Sequence, residues 1–257
     1  MSVTTVTPLP MGNSNAYLLR GEQAVLVDAG GPEDGDRLRD ALSAQGLQPR
    51  DIALVLLTHG HNDHSGTAAS FAEAGVPIAV GLGDEHLLRT GRIDVLPISH
   101  PAGALLKPMV LRAKARPVEA DILVEDEFDL SPYGVDAHAE RFGGHTPGSL
   151  VVRVGDDTLV GDLVRGGVLR PRSPKRHFFT EDAAGVRRAL MTELDRRPQR
   201  LLPGHGGPST RTRRADVSTR SLRCPIGPRH PAEAPPCPGR PGSREATEVP
   251  VPPSVRS

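Results

Sequence analysis

Over the first eighty or so residues, short aliphatic runs alternate with segments whose apolar residues recur at helical spacing. Residues 24–28 (AVLVD) form an apolar run of strand length that ends at Gly30-Gly31. Pro32 then suits the start of a helix with Leu38 and Leu42 on one face, and Gly46 suits the position just past its end. Residues 52–58 (IALVLLT) are almost continuously aliphatic. A strand without polar alternation is buried on both faces, which calls for helices on each side of its sheet. Residues 67–74 read as a short Ala-rich helix closed by Gly75, and 76–80 (VPIAV) as the next strand, where Pro77 makes a central position less comfortable. Strand–helix–strand alternation of this kind is an α/β signal.

The pattern then changes. Residues 150–154 (LVVRV), the turn Gly155-Asp156-Asp157 and residues 158–160 (TLV) read as a hairpin. Residues 127–130 and 135–138 flank a second turn at 131–134, so the later half holds antiparallel strands. Thr180 suits a helix N-cap, with Glu181 and Asp182 in the first turn and Val186, Leu190 and Leu194 on one face. Leu201-Leu202 is a brief last strand that runs into Pro203-Gly204-His205-Gly206. Residues 84–126 break the alternation, with Leu105, Leu106, Met109, Val110 and Leu111 lying among Pro97, Pro101, Pro108 and Pro117. This stretch reads as a partly helical insert that covers a pocket as a lid.

Composition separates a body, residues 1–210, from an ending of another kind, residues 211–257. The ending has nine Arg, no Lys, four acids, ten prolines and no aromatic residue. Such a segment cannot bury enough apolar surface to offset its ordering entropy, and disorder is expected. Both a genuine tail and an altered reading frame fit it. Over the 257 residues, 31 basic and 31 acidic side chains balance, which gives no reason to expect nucleic acid or an anionic membrane as partner. Cys224 and Cys237 both lie in the ending, so no cysteine of the body can ligate a metal. The start of the chain does not read as an export signal, and no window has the roughly 18 apolar residues of a membrane span. The expectation is a soluble cytoplasmic protein that acts on a small molecule, its oligomeric state unread.

The chemistry concentrates in residues 57–66 (LTHGHNDHSG), where His59, His61, Asp63 and His64 follow a buried strand. A strand end and turn aim several side chains into one cavity mouth, and imidazole and carboxylate suit zinc and similar divalent ions. Three further motifs repeat the theme: Gly144-His145-Thr146-Pro147-Gly148 before a strand, Gly161-Asp162 after one, and Gly204-His205-Gly206 after another. Each alone reads equally as a turn or a cap. Of the other histidines, His86, His100, His138, His177 and His230 have no partner at ligand spacing and read as surface or packing residues, with His177 the least secure of these. Arg165, Arg170 and Arg172 read as a solvated basic loop in preference to a contact for an acidic substrate group.

Taken together, these motifs resemble the metallo-β-lactamase superfamily. His59-x-His61-x-Asp63-His64 matches its signature, and His145, Asp162 and His205 fill the remaining ligand positions. Residues 15–19 (NAYLL) and 27–30 (VDAG) match its opening strands. The resemblance implies an αββα sandwich of two mixed sheets with outer helices. It also implies two divalent ions, zinc first and iron or manganese next: His59, His61 and His145 on one, Asp63, His64 and His205 on the other, and Asp162 between them. A hydroxide shared by the ions would attack a small carboxylic ester, thioester or lactone, with Asp63 and Asp162 the carboxylates closest to the chemistry. Asp28 would orient the ligands from behind.

Within the superfamily, the second glyoxalase shares the seven ligands but carries a Gly-Cys-Gly-Arg-like segment where this chain has Leu163-Val164-Arg165-Gly166-Gly167. Lactonases remain open, with Tyr133 or the insert meeting the substrate. The rival from another class is a persulfide dioxygenase with one iron on His59 or His61, His145 and Asp162. A third reading is an inactive protein with an aberrant ending.

Overall fold

The structure, a computed structural model, describes residues 3–167, 170, 172–207 and 209–210. The expected disorder of 211–257 lies outside the described residues.

The first sheet is mixed. Strands β1 (Thr5–Pro10), β2 (Asn15–Arg20) and β3 (Ala24–Val27) run antiparallel in sequence order. β3 then pairs in parallel with β4 (Ile52–Leu57), β4 with β5 (Ile78–Gly81), and β5 with β6 (Ile122–Val124). The crossovers carry α1 (Gly35–Ser43) and, after β4, α2 (Asn62–Ser65) and α3 (Ala68–Glu73); α4 (Glu85–Thr90) and α5 (Pro101–Arg112) lie between β5 and β6. The second sheet starts with the antiparallel run β7 (Glu127–Asp129), β8 (His138–Arg141), β9 (Leu150–Val154) and β10 (Asp157–Gly161). A two-stranded ribbon, β11 (Arg165–Gly166) with β12 (Pro174–Lys175), and helix α6 (Ala183–Asp195) follow. The sheet closes with β13 (Arg200–Pro203), parallel to β10, and β14 (Ser209–Thr210) on its outer edge.

Side-chain alternation explains why these strands read as continuously apolar. Leu54 and Leu56 of β4 point between the sheets, where they meet Leu150 and Val152 of β9 and Leu159 of β10. Val55 and Leu57 point the other way, into a cluster with Leu38 and Leu42 of α1 and Phe71 of α3. On the far side, Val151 and Val160 pack with Val186, Ala189, Leu190 and Leu194 of α6. Helix, sheet, sheet and helix therefore form the αββα sandwich. Truncating a core leucine such as Leu56, which has no exposed surface, costs about 2–5 kcal/mol. The buried Glu193 of α6 is tied to Arg153 of β9 at 2.6 Å, which compensates a charge that burial would otherwise penalise.

Three sequence expectations need correction. The N-cap of α6 is Asp182, whose carboxylate accepts the Ala184 N–H at 2.9 Å; Thr180 instead donates its hydroxyl to the Phe179 carbonyl. Pro77 precedes a strand that is central after all: it uses only its carbonyl, which accepts from Val55 N–H at 3.0 Å, so its missing N–H is not needed. The stretch 84–126 is not all insert. α4 buries Leu87 and Leu88, and β6 completes the first sheet, which leaves about 92–117 as the extra segment. There Ile93, Leu96, Leu106 and Val110 pack with Phe178 and Phe179.

Candidate metal centre

The seven residues singled out from the sequence converge at one end of the sandwich. β4 delivers Thr58 and His59, His61 is the N-cap of α2, and Asp63 and His64 lie within that helix. The loop before β9 carries His145, the end of β10 carries Asp162, and the loop after β13 carries His205. Asp162 is the hub. Its carboxylate lies 3.5 Å from Nε2 of His64, 3.5 Å from Nε2 of His145, 3.3 Å from Nε2 of His205 and 3.8 Å from Nε2 of His59. Asp63 meets His205 Nε2 at 3.3 Å, and His61 Nδ1 lies 3.1 Å from His145 Nε2.

Each loop is fixed from behind by a hydrogen bond that also sets a histidine tautomer. Asp28, at φ 62° and fully buried, accepts from Thr58 N–H at 2.7 Å, from the Thr58 hydroxyl at 2.9 Å and from His64 Nδ1 at 2.9 Å. With its hydrogen given to Asp28, the Thr58 hydroxyl accepts from His59 Nδ1 at 3.2 Å. His145 Nδ1 donates to the Phe179 carbonyl at 3.0 Å, and His205 Nδ1 to the Asn13 carbonyl at 2.7 Å. These partners leave Nε2 of His59, His64, His145 and His205 free to face Asp162; His61 presents Nδ1 instead. Supporting donors to backbone carbonyls and carboxylates of this kind accompany nearly all metal-bound histidines.

Asp84 holds two of the loops together, and nothing in the sequence marked it. It is fully buried and accepts from Gly60 N–H, Gly148 N–H and the Thr146 hydroxyl at 2.7–2.8 Å. Burial raises its carboxyl above the usual range against those three donors. The opening-strand motif has a matching task. Tyr17 donates its hydroxyl to the Pro203 carbonyl at 2.7 Å, and the Asn15 amide donates to Pro203 and Gly206 carbonyls at 3.0 and 2.7 Å, so β2 anchors the His205 loop. Gly204 in that loop must be glycine, since a Cβ there would stand 2.4 Å from the Asp162 carboxylate and 2.5 Å from the His64 ring.

The electrostatics divide the cluster. Burial holds His59 well below its ordinary value, His61 at about 4 and His145 at about 3, so these rings are neutral and offer lone pairs. Burial acts on His64 and His205 in the same sense, but the carboxylates of Asp162 and Asp63, joined by Asp28 at His64, outweigh it. They raise His64 strongly and His205 to about 10. Asp162 and Asp63 are lowered, because the surrounding histidines overcome the effect of burial.

Two residues take positions the sequence reading did not give them. His177, read as a packing residue, is 8% exposed and places Nε2 3.1 Å from the Asp162 carboxylate. Its only signal was its place between two ligand motifs. Arg165, read as part of a solvated loop, is 9% exposed and has its guanidinium 3.8 Å above the Phe178 ring, whereas Arg170 and Arg172 are exposed. Arg165 has no carboxylate partner among the described residues, its Nε has no hydrogen-bond partner, and one terminal nitrogen donates to the Gly166 carbonyl at 2.9 Å. His86, His100 and His138 stay away from the centre as expected: His86 and His138 approach Asp94 and Glu127, and His100 caps α5. Tyr133 packs at the edge of the inter-sheet core, and His230 lies outside the described residues.

The donor set fits divalent cations. His59 Nε2 and one Asp162 oxygen are buried without a hydrogen-bond partner, and imidazole nitrogens that face one another 3.1–3.3 Å apart need a proton or a cation between them. The groups His59–His61–His145, His59–His64–Asp162 and Asp63–His64–His205 each gather their donor atoms within 4.8 Å. Above them lies a cavity of about 330 Å³, with His61, Asp63, Asp162, His177 and His205 on one side and Leu96, Leu106, Met109, Val110 and Phe178 on the other.

Fold and centre together define a known class. The sequence profile described as the metallo-beta-lactamase superfamily matches residues 9–205, and the chain belongs to that superfamily. Its relatives include a probable metallo-hydrolase of Methanocaldococcus jannaschii, 29% identical over 199 residues, covering 76% of this chain and 88% of that protein. An uncharacterized protein of Mycobacterium bovis is 32% identical over 219 residues, covering 80% of this chain and 92% of the relative. Metallo-beta-lactamase domain-containing protein 1 of Rattus norvegicus matches over 55 residues only, at 46% identity, so the chain spans 22% of its length. Among solved structures, a metallo-beta-lactamase family protein of Thermus thermophilus shares the fold with a TM-score of 0.60 at 20% identity, over 81% of this chain and 75% of that one. No helix among the described residues is long and apolar enough to cross a membrane.

Proposed function

We propose that this protein is a metal-dependent hydrolase of small carboxylic esters, thioesters or lactones. His59, His61 and His145 would hold a first divalent cation, Asp63, His64 and His205 a second, and Asp162 both, with zinc the expected metal. The observation that carries this reading is the convergence of five imidazoles, four of them held from behind by a hydrogen bond at Nδ1, on two carboxylates at the floor of one cavity. Cations held there supply a Lewis acid for a carbonyl oxygen and lower the pKa of coordinated water to about 7.

The chain's own residues do the remaining work. Asp162 neutralises the positive charge gathered by the histidines, and Asp28 and Asp84 keep the loops from drifting. Leu106, Met109 and Val110 of α5, with Leu96 and Phe178, form the apolar wall that would accept an acyl chain and exclude water. Residues 92–117 thus serve as the lid over a small-molecule site. Arg165 lines the same cavity with no carboxylate at ion-pair distance among the described residues, and Asp162 offsets its charge only from further off. A buried, unpaired cation is costly, and an anionic group of the substrate would relieve it.

The test is a panel of thioesters, lactones and simple esters assayed with protein reconstituted with zinc. Turnover that rises with metal loading and depends on the length of the acyl chain is expected. No turnover of any of the three by fully loaded protein would overturn the reading. Oxygen uptake by protein holding one iron would favour the dioxygenase.

A further inference from the structure

We propose that His177 is a metal ligand, an eighth member of the centre that joins His145 and Asp162 on the first cation. The proposal rests on the metal-centre reading above. Its first support is position: the donor atoms of His145, Asp162 and His177 lie within 4.8 Å of one another, and all three residues are buried. The His177 ring stands edge-on to that of His145, with centroids 4.6 Å apart, and 5.4 Å from that of His205.

The second support is the hydrogen bond behind the ring. The Phe179 carbonyl accepts from His145 Nδ1 at 3.0 Å and lies 3.1 Å from His177 Nδ1. A carbonyl oxygen only accepts; this one also takes the Thr180 hydroxyl, so the two rings share it with a third donor. One oxygen therefore fixes the same tautomer on both rings, and a backbone carbonyl behind the ring is the usual partner of a metal-bound imidazole. His177 Nε2 is then bare and faces a carboxylate oxygen at 3.1 Å. Two acceptors at that distance repel unless a cation lies between them. The opposite tautomer would take the longer 3.4 Å contact from Phe179 N–H and give Asp162 a plain hydrogen bond. Of the two contacts at His177 Nδ1, the one to the carbonyl is the shorter.

The position also links metal to lid. The His177 carbonyl accepts the Ser99 hydroxyl at 2.7 Å, and the Phe178 carbonyl accepts Ser99 N–H at 2.9 Å, just before α5 begins. The segment that would bring this ligand to the cation is the one that anchors the stem of the lid.

The experiment uses full-length protein loaded with cobalt, after its metal content has been measured. Proton NMR counts the exchangeable imidazole N–H resonances shifted far outside the diamagnetic range, one for each bound histidine. Wild type should show one more than His177→Ala and one more than His177→Gln, and both variants should bind cobalt at least about tenfold more weakly in competition with a chelator. His177→Gln keeps an amide donor toward Asp162. An unchanged resonance count in the variants, or wild-type affinity in His177→Gln, would overturn the assignment. Failure of the wild type to take up cobalt at all would be a failure of the metal-centre reading itself, and it would show before any variant is compared.

Discussion

The floor of the cavity and its apolar wall are built by opposite means. On the floor, His59, His64, His145 and His205 each have a second hydrogen-bond partner, and those partners are backbone carbonyls or buried side chains. The wall formed by α5 buries only Gly103 fully, has a proline inside the helix, and leaves Leu105, Met109 and Leu111 at 85%, 64% and 40% exposure. Leu106 and Val110 are its partly buried contacts with the Ile93–Leu96–Phe179 cluster. A side chain fixed by two partners holds its donor atom to a narrow range of positions, as metal chemistry requires. A helix held by a few apolar contacts can shift to suit its guest. Under the proposed function, the difference puts the reaction on the floor and the choice of substrate at the wall.

The comparison can be broken most severely at the hub. Asp162→Ala should abolish ester or thioester turnover and leave at most one cation bound, measured by steady-state kinetics and elemental analysis. Even two unit charges at 4 Å repel by about 4 kcal/mol at an effective dielectric of 20, and two dications repel by more. Retention of both cations and of activity would show that Asp162 does not hold the pair together. Asp28→Ala acts one step behind the ligands. It frees His64 and Thr58 together, and should weaken metal binding by about 10–100-fold in a chelator competition while the cavity wall stays as it was. Unchanged affinity would mean that the floor does not depend on its supporting hydrogen bonds.

Proton release sharpens the electrostatic side. The carboxylates raise His64 strongly and His205 to about 10 against the effect of burial, so both carry protons at neutral pH in metal-free protein. A cation must displace those protons. Metal affinity should therefore rise with pH through neutrality and level off near pH 10, and calorimetry at pH 7 in buffers of different ionisation enthalpy should register protons released. Affinity that is flat with pH would contradict the division of the cluster into neutral and charged rings.

The smallest effect belongs to the wall. Leu106→Ala and Val110→Ala should raise KM several-fold for long-chain acyl substrates, with kcat and metal content nearly constant. Because both side chains are only partly buried, their loss should cost less than the about 2–5 kcal/mol of a core truncation. A large fall in melting temperature with unchanged chain-length preference would make the helix a packing element and not a lid. Leu105 is a poor probe despite its place in the apolar run, because it points to solvent and does not line the cavity.

Much of the sandwich was legible because its periodicities are local. The unbroken aliphatic run of β4, the hairpin of β9 and β10 and the apolar face of α6 at spacing four can each be read over a few residues of the chain. The seven residues that gather at one end of the sandwich were legible as a set because their residue types are rare in such packed succession. Asp84, His177 and Arg165 were not, for one shared reason. Each gains its meaning from partners distant in sequence: Gly60, Thr146 and Gly148 for Asp84, Asp162 for His177 and Phe178 for Arg165. No local pattern distinguishes a buried Asp, His or Arg from a solvated one. The limits of the insert failed similarly: α4 and β6 join the core through partners elsewhere in the sandwich, so their local pattern showed only a break in alternation.

The most direct measurement is the ratio of divalent metal to chain in protein purified without added metal and again after loading with zinc. A dinuclear centre predicts close to two ions per chain after loading. A ratio that stays at one or below would contradict it, and with it the assignment of Asp63, His64 and His205 to a second cation.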